Sequence, residues 1–257
     1  MMASGDSRPG LLAGDGIGAR LARHSLWLVV LAALAIPLAD LEVLSRDPWA
    51  ELGRMAMGLA LPDFGAIETP LQAIGLTIAV AFWGTLAGVV LGLPLALVYA
   101  RSRLVRAASA AVRAVHELFW ALLFLQVFGL SALTALAALA IPYAGIFAKV
   151  YAEILEQTPQ APQAALPEGT GRLARLAYTE LPQAFAQLAA YTRYRFECAL
   201  RSSVLLGFVG LPTLGYQLES AFREGRYFEA GALLWAFYLL IATLPWWAHR
   251  RLLLPLL

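Results

Sequence analysis

The sequence predicts an all-α polytopic membrane protein of about six transmembrane helices, with both termini on the cytoplasmic side. Three observations carry that expectation. The chain of 257 residues is 60% hydrophobic and 14% charged, and its mean hydropathy of +0.69 exceeds what one soluble core needs. Its apolar residues are gathered in runs of bilayer-spanning length. Arginines cluster beside the ends of those runs, as in a chain oriented by its positive charges. A net charge of +2 with no basic stripe gives no footing for a nucleic-acid partner; the lipid bilayer is the surface this composition suits.

The single cysteine, Cys198, leaves no internal disulfide framework and no cysteine zinc site, and reads as a small packing residue. His24, His116 and His249 are far apart and form no ligand pair. No metal and no cofactor bound by this chain is expected.

Taken in order, residues 1–24 are expected to be a cytoplasmic, disordered tail, since their first part is rich in Gly, Ser and Asp. Residues 25–44 follow Arg20 and Arg23 as a first span, retained because no Ala-x-Ala-like cleavage site leads into a soluble domain. The acidic residues Asp40, Glu42, Asp47, Glu51, Asp63 and Glu68 place the 45–70 linker outside. Trp49 and the turn from Pro62 to Gly65 suit the headgroup level there.

The core is expected over 71–251. Its clearest span, 71–100, is followed by Arg101, Arg103, Arg106 and Arg113, which mark a cytoplasmic exit. Gly84, Gly88 and Gly92 fall on one helical face and would let another helix approach closely, although glycine is common in membrane helices generally. Pro94 is expected to kink the cytoplasmic end. Residues 116–152 would make a helix of about 55 Å, too long for one span. Two crossings with a tight turn near Gly129, Leu130 and Ser131 bring the following loop back to the cytoplasm with Arg172 and Arg175. The next apolar segment, 183–209, is broken by the glycines and Pro212 of the 207–215 stretch. An external loop over 219–229 and a last span over 231–248 then return the chain to Arg250 and Arg251, leaving 252–257 as a cytoplasmic tail.

Charges inside such helices are expensive and must face protein or water. Arg193 and Arg195 are expected near the cytoplasmic interface. Glu197 and Arg201, four apart, can pair on one helix face, either as a polar lining for a transported anion or as a structural pair at a helix junction. Glu117, beside Trp120 at the start of an apolar helix, reads as a gating or helix-pairing carboxylate or as a solvated helix end. Lys149 and Glu153 form an ordinary helical pair. No Ser/His/Asp, HExxH or paired-carboxylate arrangement supports an enzyme. An ion-gradient transporter or channel, with Glu197 and Arg201 as its coupling pair, is the second functional class.

The long interruption of apolar sequence is the loop 157–182. Within it Gln163, Ala164 and Ala165 are followed by three residues, Gly169, nine residues, and then Thr179, Glu180, Leu181 and Pro182. The small alanines allow a short helix to bury its backbone in a partner's groove. Gly169 can take positive φ, and Pro182 suits the first turn of a new helix. A plain amphipathic loop is the simpler alternative. The spacing resembles the EAA loop of permeases in binding-protein-dependent ABC importers, which reads Glu-Ala-Ala, three residues, Gly, nine residues, Ile-x-Leu-Pro. Gln163 stands for the usual Glu and Thr179 for the usual Ile. Residues 113–124, 145–156 and 194–207 are further similar to the phosphonate, phosphite and phosphate type of these permeases, whereas 210–215 departs from it.

That resemblance implies a type I permease core and a set of partners. These are ATPase subunits docked at Gln163, Ala164, Ala165, Gly169, Leu181 and Pro182, a second permease copy in a homodimer, and a periplasmic substrate-binding protein. It also implies the bacterial cytoplasmic membrane as location and Glu117, Glu197 and Arg201 as candidates for the translocation path. The chain lacks a Gly-x4-Gly-Lys-Ser/Thr phosphate loop, so ATP and Mg are expected on the partner ATPase.

Overall fold

The computed structural model describes residues 15–38, 47–159, 166–167 and 169–248, and the regular structure among them is helical throughout. The chain divides into two compact units, with the division between Glu51 and Leu52. In the first unit, α1 (Asp15–Ala35) is followed by a tight turn over Ile36–Leu38. The helix begins at Asp15 rather than Ser25, because Ala19, Arg20, Leu21, Ala22 and Arg23 are all good helix formers that extend the apolar run backwards. Leu26, Trp27, Leu28 and Val29 are each more than half exposed, an apolar surface all round that suits lipid. The rest of the expected tail and residues 39–46 lie outside the described residues.

The expected linker is helical over α2 (Pro48–Ala60), most of which belongs to the second unit. Proline at its first position favours such a start, and its charges led the sequence to read as a connection. Close backbone contact fixes it to the last helix, α10 (Tyr227–Ala248). A Cβ on Gly58 would collide with the Tyr227 carbonyl oxygen, and one on Gly231 with that of Gly58. The Trp235 indole Nε1 donates to the Leu59 carbonyl at 3.0 Å.

The centre of the second unit is the pair α3 (Pro70–Tyr99) and α6 (Ala132–Gln157). The glycine face read from the sequence lies in this seam. Added Cβ atoms would sit 2.7 Å from Leu139 at Gly84, 2.6 Å from Tyr143 at Gly88 and 2.6 Å from Phe147 at Gly92. These contacts climb both helices in the same direction, so α3 and α6 are parallel and their C-terminal ends share one end of the bundle. Leu139, Tyr143 and Phe147 are fully buried, as are Leu200 and Leu206 from α8 (Leu181–Gly207).

Between α3 and α6 the chain makes α4 (Arg103–Ala114) and α5 (Glu117–Phe128), bent by 92° at the intervening residues. The turn near Gly129 is where it was expected. Gly129 has φ +64°, and the Ser131 hydroxyl accepts from the Thr134 amide at 3.3 Å to cap α6. The expectation of two crossings over 116–152 is corrected in part: α5 has 12 residues, about 18 Å of helix, so the first crossing needs α4 as well, while the parallel α3 and α6 bring the following loop to the end where α3 exits, as expected. Among the described residues α3, α6 and the Tyr227–Leu244 part of α10 are long and apolar enough to span, with the bent α4 and α5 pair as a fourth. The 27 residues of α8 have the length, but carry Arg193, Arg195, Glu197 and Arg201.

After α8 the chain breaks as expected, with Gly210 at φ +101°. The expected external loop over 219–229 is corrected in part: α9 (Leu214–Arg223) is helical, and α10 begins at Tyr227. Its amphipathic face is short and its charges numerous, so the sequence hid it. The Leu214 amide donates to the buried Thr77 hydroxyl of α3 at 3.1 Å, supplying an N-terminal partner that local sequence did not show.

Candidate functional site

Two places draw on the predicted site residues. The first is the loop at the shared C-terminal end of α3 and α6. Gln163, Ala164 and Ala165 lie outside the described residues. Gly169 has φ +85° and is exposed, the left-handed conformation that favours glycine, and the Thr170 hydroxyl donates to the Pro167 carbonyl at 2.6 Å to close the turn. The short helix α7 (Arg172–Arg175) then runs through a widened π turn over Leu176–Glu180 directly into α8.

Leu181 and Pro182 open α8, with proline in its first turn as the sequence suggested, but the helix runs on from the π turn without a break. Pro182 has no amide to donate, and the widened turn before it absorbs the interrupted hydrogen-bond ladder. The Gln183 side-chain amide donates to the Thr179 carbonyl at 2.7 Å.

Arg172 ties this segment to the bundle, its Nη2 donating to the Leu97 carbonyl at 3.0 Å near the end of α3. A groove of about 470 Å³ lies between the α3 and α6 ends and α7, lined among others by Ala100, Leu155, Glu156, Arg172 and Glu180. Leu173, which also lines this groove, is 77% and Tyr178 76% exposed. The sequence reading did not single out these two. Their signal was present as bulky apolar residues one to two helical turns apart inside a polar loop, the pattern of a surface awaiting a partner.

The second place is the seam of α8 with α5 and α6. The expected pairing of Glu197 with Arg201 is corrected: Glu197 Oε1 lies 3.6 Å from Arg193 Nε. A carboxylate on a helix reaches one turn either way, so spacing alone does not choose its partner. Arg201 is exposed, and its Nη2 lies 3.5 Å from Cys198 Sγ.

Arg195, expected near the membrane surface, is instead at mid-helix. Its guanidinium carbon lies 4.2 Å from the centroid of the Tyr143 ring, and Tyr143 packs on Gly88 near the middle of α3. Arg195 Nη2 is 3.9 Å from Glu117 Oε1, with the two side chains 14% and 16% exposed. Glu117 is thus a helix-pairing carboxylate rather than a solvated end. It occupies the first turn of α5, where a negative charge also suits the helix dipole. His116 Nε2 approaches it to 3.5 Å, while His116 Nδ1 accepts from the Leu118 amide at 3.2 Å. Lys149 and Glu153 pair at 3.3 Å on the flank of α6, as expected.

This arrangement leaves a groove and exposed apolar residues at one end of the bundle and holds a charged group inside it. Known proteins share both the sequence and the fold. Residues 69–247 match the family described as binding-protein-dependent transport system inner membrane component. The phosphite transport system permease protein PtxC of Stutzerimonas stutzeri is 29% identical over 242 residues, which cover 89% of this chain and 88% of that protein. The phosphate-import permease protein PhnE of Mycolicibacterium smegmatis is 33% identical over 200 residues, 74% of this chain and 36% of that longer protein. Among solved structures, the MetNI methionine ABC transporter in an inward-facing conformation has a TM-score of 0.63 at 18% identity, over 74% of this chain and 96% of that one. At that identity the likeness is one of fold.

Proposed function

This chain belongs to the binding-protein-dependent transport system inner membrane components, and we propose that it is the permease of an ATP-driven importer for phosphonate, phosphite or phosphate. It is a multi-pass protein of the bacterial cytoplasmic membrane. The substrate class is supported by the phosphite and phosphate named in the descriptions of its relatives. The observation that carries the coupling role is the seating of α7 on the ends of α3 and α6, with Leu173 and Tyr178 left exposed.

In this reading a separate ATPase, which holds the ATP and Mg, docks on the 163–182 loop. A second copy of the chain completes the translocation path, and an external binding protein delivers the anion. Motor closure pushes α7. Arg172 passes the displacement to α3 through Leu97, and the unbroken run from α7 into α8 passes it to the middle of the bundle. Only differential docking of the motor to inward and outward states can drive such a change.

The test is co-purification of the ATPase with loop variants. Ala164→Glu, Gly169→Glu and Leu173→Asp with Tyr178→Asp are expected to lose the ATPase while the permease elutes as a single species. Undiminished association in all three would overturn the coupling role.

A further inference from the structure

We propose that Arg195 is the oxyanion-binding group of the translocation path, and that Glu117 is the internal carboxylate that occupies Arg195 when no substrate is there. The inference rests on the function proposed above, from which the chemistry of the substrate is taken. Arg195 stands near the middle of α8 and, through Tyr143 and Gly88, near the middle of α6 and α3. An ionised side chain at that depth is costly and marks a transport path more often than a scaffold.

Its immediate contacts hold the charge without using up its donors. The guanidinium carbon lies 4.2 Å from the centroid of the Tyr143 ring, a cation–π attraction that takes up no N–H donor in a hydrogen bond. The Glu117 oxygen at 3.9 Å is beyond the 2.7–2.9 Å of a charge-assisted hydrogen bond. The buried Arg195 Nε finds no hydrogen-bond acceptor among the described residues. A tetrahedral phosphorus oxyanion presents two adjacent oxygens at the spacing of that fork, which is why guanidinium binds phosphate-like groups bidentately.

Glu117 is carried on the half-length α5, which meets α4 at a 92° bend and lies outside the glycine seam of α3 and α6. It can withdraw from Arg195 while that seam stays packed. Two anions about 4 Å apart in a poorly screened interior repel strongly. An arriving oxyanion therefore displaces Glu117, and the return of Glu117 expels the oxyanion. Arg201, exposed and beside Cys198, is not needed for this exchange.

The experiment uses the whole complex, with ATPase and binding protein, in proteoliposomes, together with binding of labelled phosphite, phosphate and methylphosphonate to the purified complex. The double variant Arg195→Gln with Glu117→Gln leaves no unpaired charge, so a purely structural ion pair is replaced harmlessly. Anion uptake and binding are nevertheless expected to fall at least about tenfold. Glu117→Gln alone removes the competitor and is expected to bind anion more tightly than wild type. Arg195→Lys keeps the charge without the fork and is expected to lose uptake about tenfold while the complex stays assembled, which keeps the inference testable if the double variant does not fold. Wild-type uptake by the double variant, or by Arg195→Lys, overturns the role of Arg195 and leaves the importer function standing. A wild-type complex that moves none of the three anions overturns that function and this inference together.

Discussion

The two faces of α6 are built by opposite means. Toward α3 it meets glycine, and the backbones approach so closely that a single added carbon at Gly84, Gly88 or Gly92 falls within 2.7 Å of a side chain. Toward α8 it meets long polar groups: the Tyr151 hydroxyl is 2.5 Å from that of Thr192, and Arg195 lies over Tyr143. A seam of interlocked small residues has one arrangement. Long side chains joined by hydrogen bonds and a loose ion pair have several. The comparison makes the α3 and α6 seam the more tightly interlocked of the two, while α8 and α5 join α6 through longer side-chain contacts. Tyr143 belongs to both, its Cβ facing Gly88 and its ring facing Arg195.

The strongest way to break this contrast is to overfill the rigid seam. Gly88→Val places its new carbons against Tyr143 Cβ and Phe147, and is expected to cost about 3 kcal/mol or to prevent folding. Gly75 lies on the same helix with no atom within 4 Å of an added Cβ, so Gly75→Val serves as its control. Thermal unfolding of both variants in detergent measures the difference. Equal stability of the two would remove the distinction between the faces.

The polar seam is expected to answer more softly. Thr192 donates to the Leu188 carbonyl at 2.7 Å, so in its contact with Tyr151 it accepts. Thr192→Val keeps the shape and leaves the buried Tyr151 hydroxyl without that acceptor, for an expected loss of about 1–2 kcal/mol. Combining it with Tyr151→Phe should cost less than the sum of the two single changes. Strict additivity would show that the hydrogen bond does not join the two helices.

How far these features were legible in the sequence follows the same division. The glycine face was readable because a period of four places three glycines on one side of an apolar helix, and Gly129 and Gly169 because left-handed turns favour glycine. The half-length α5 was not, since the arginines of α4 read as a cytoplasmic connection and hid its pairing with α5 across the bend. Nor was the pairing of Arg195: its partners Glu117 and Tyr143 stand on other helices, and local spacing drew attention to Arg201. The amphipathic α2 and α9 read as a linker and a loop because their charges masked short apolar faces. In the coupling loop the small residues drew notice, whereas the bulky Leu173 and Tyr178 in the same polar stretch were passed over, and their exposure is seen once α7 is placed.

A third face of α6, its exposed flank, sharpens the contrast further. The pair of Lys149 with Glu153 is 35% and 46% exposed at its two side chains. Such pairs are worth little because water competes and two long side chains must be ordered. Lys149→Ala is expected to lower stability by about 0.5 kcal/mol or less, well below Thr192→Val in the same assay. A larger loss would mean that this flank also bears on a seam.

The smallest expected effect lies beyond the seams, at the turn between α9 and α10. Glu224 accepts from the Ser220 hydroxyl at 2.9 Å and from Arg226 Nε at 3.0 Å. The Ser220 hydrogen bond and then the Arg226 charge hold its carboxyl below the ordinary value. A depressed acid contributes stability above its unfolded pKa and loses it as pH falls through the lowered folded value. Between wild type and Glu224→Gln, the gap in unfolding midpoint should therefore be small and constant from about pH 6 to 8, and should close as the solution is acidified through the carboxylate range. A gap that widened on acidification would reverse the sign and assign the Ser220 and Arg226 contacts to the protonated acid.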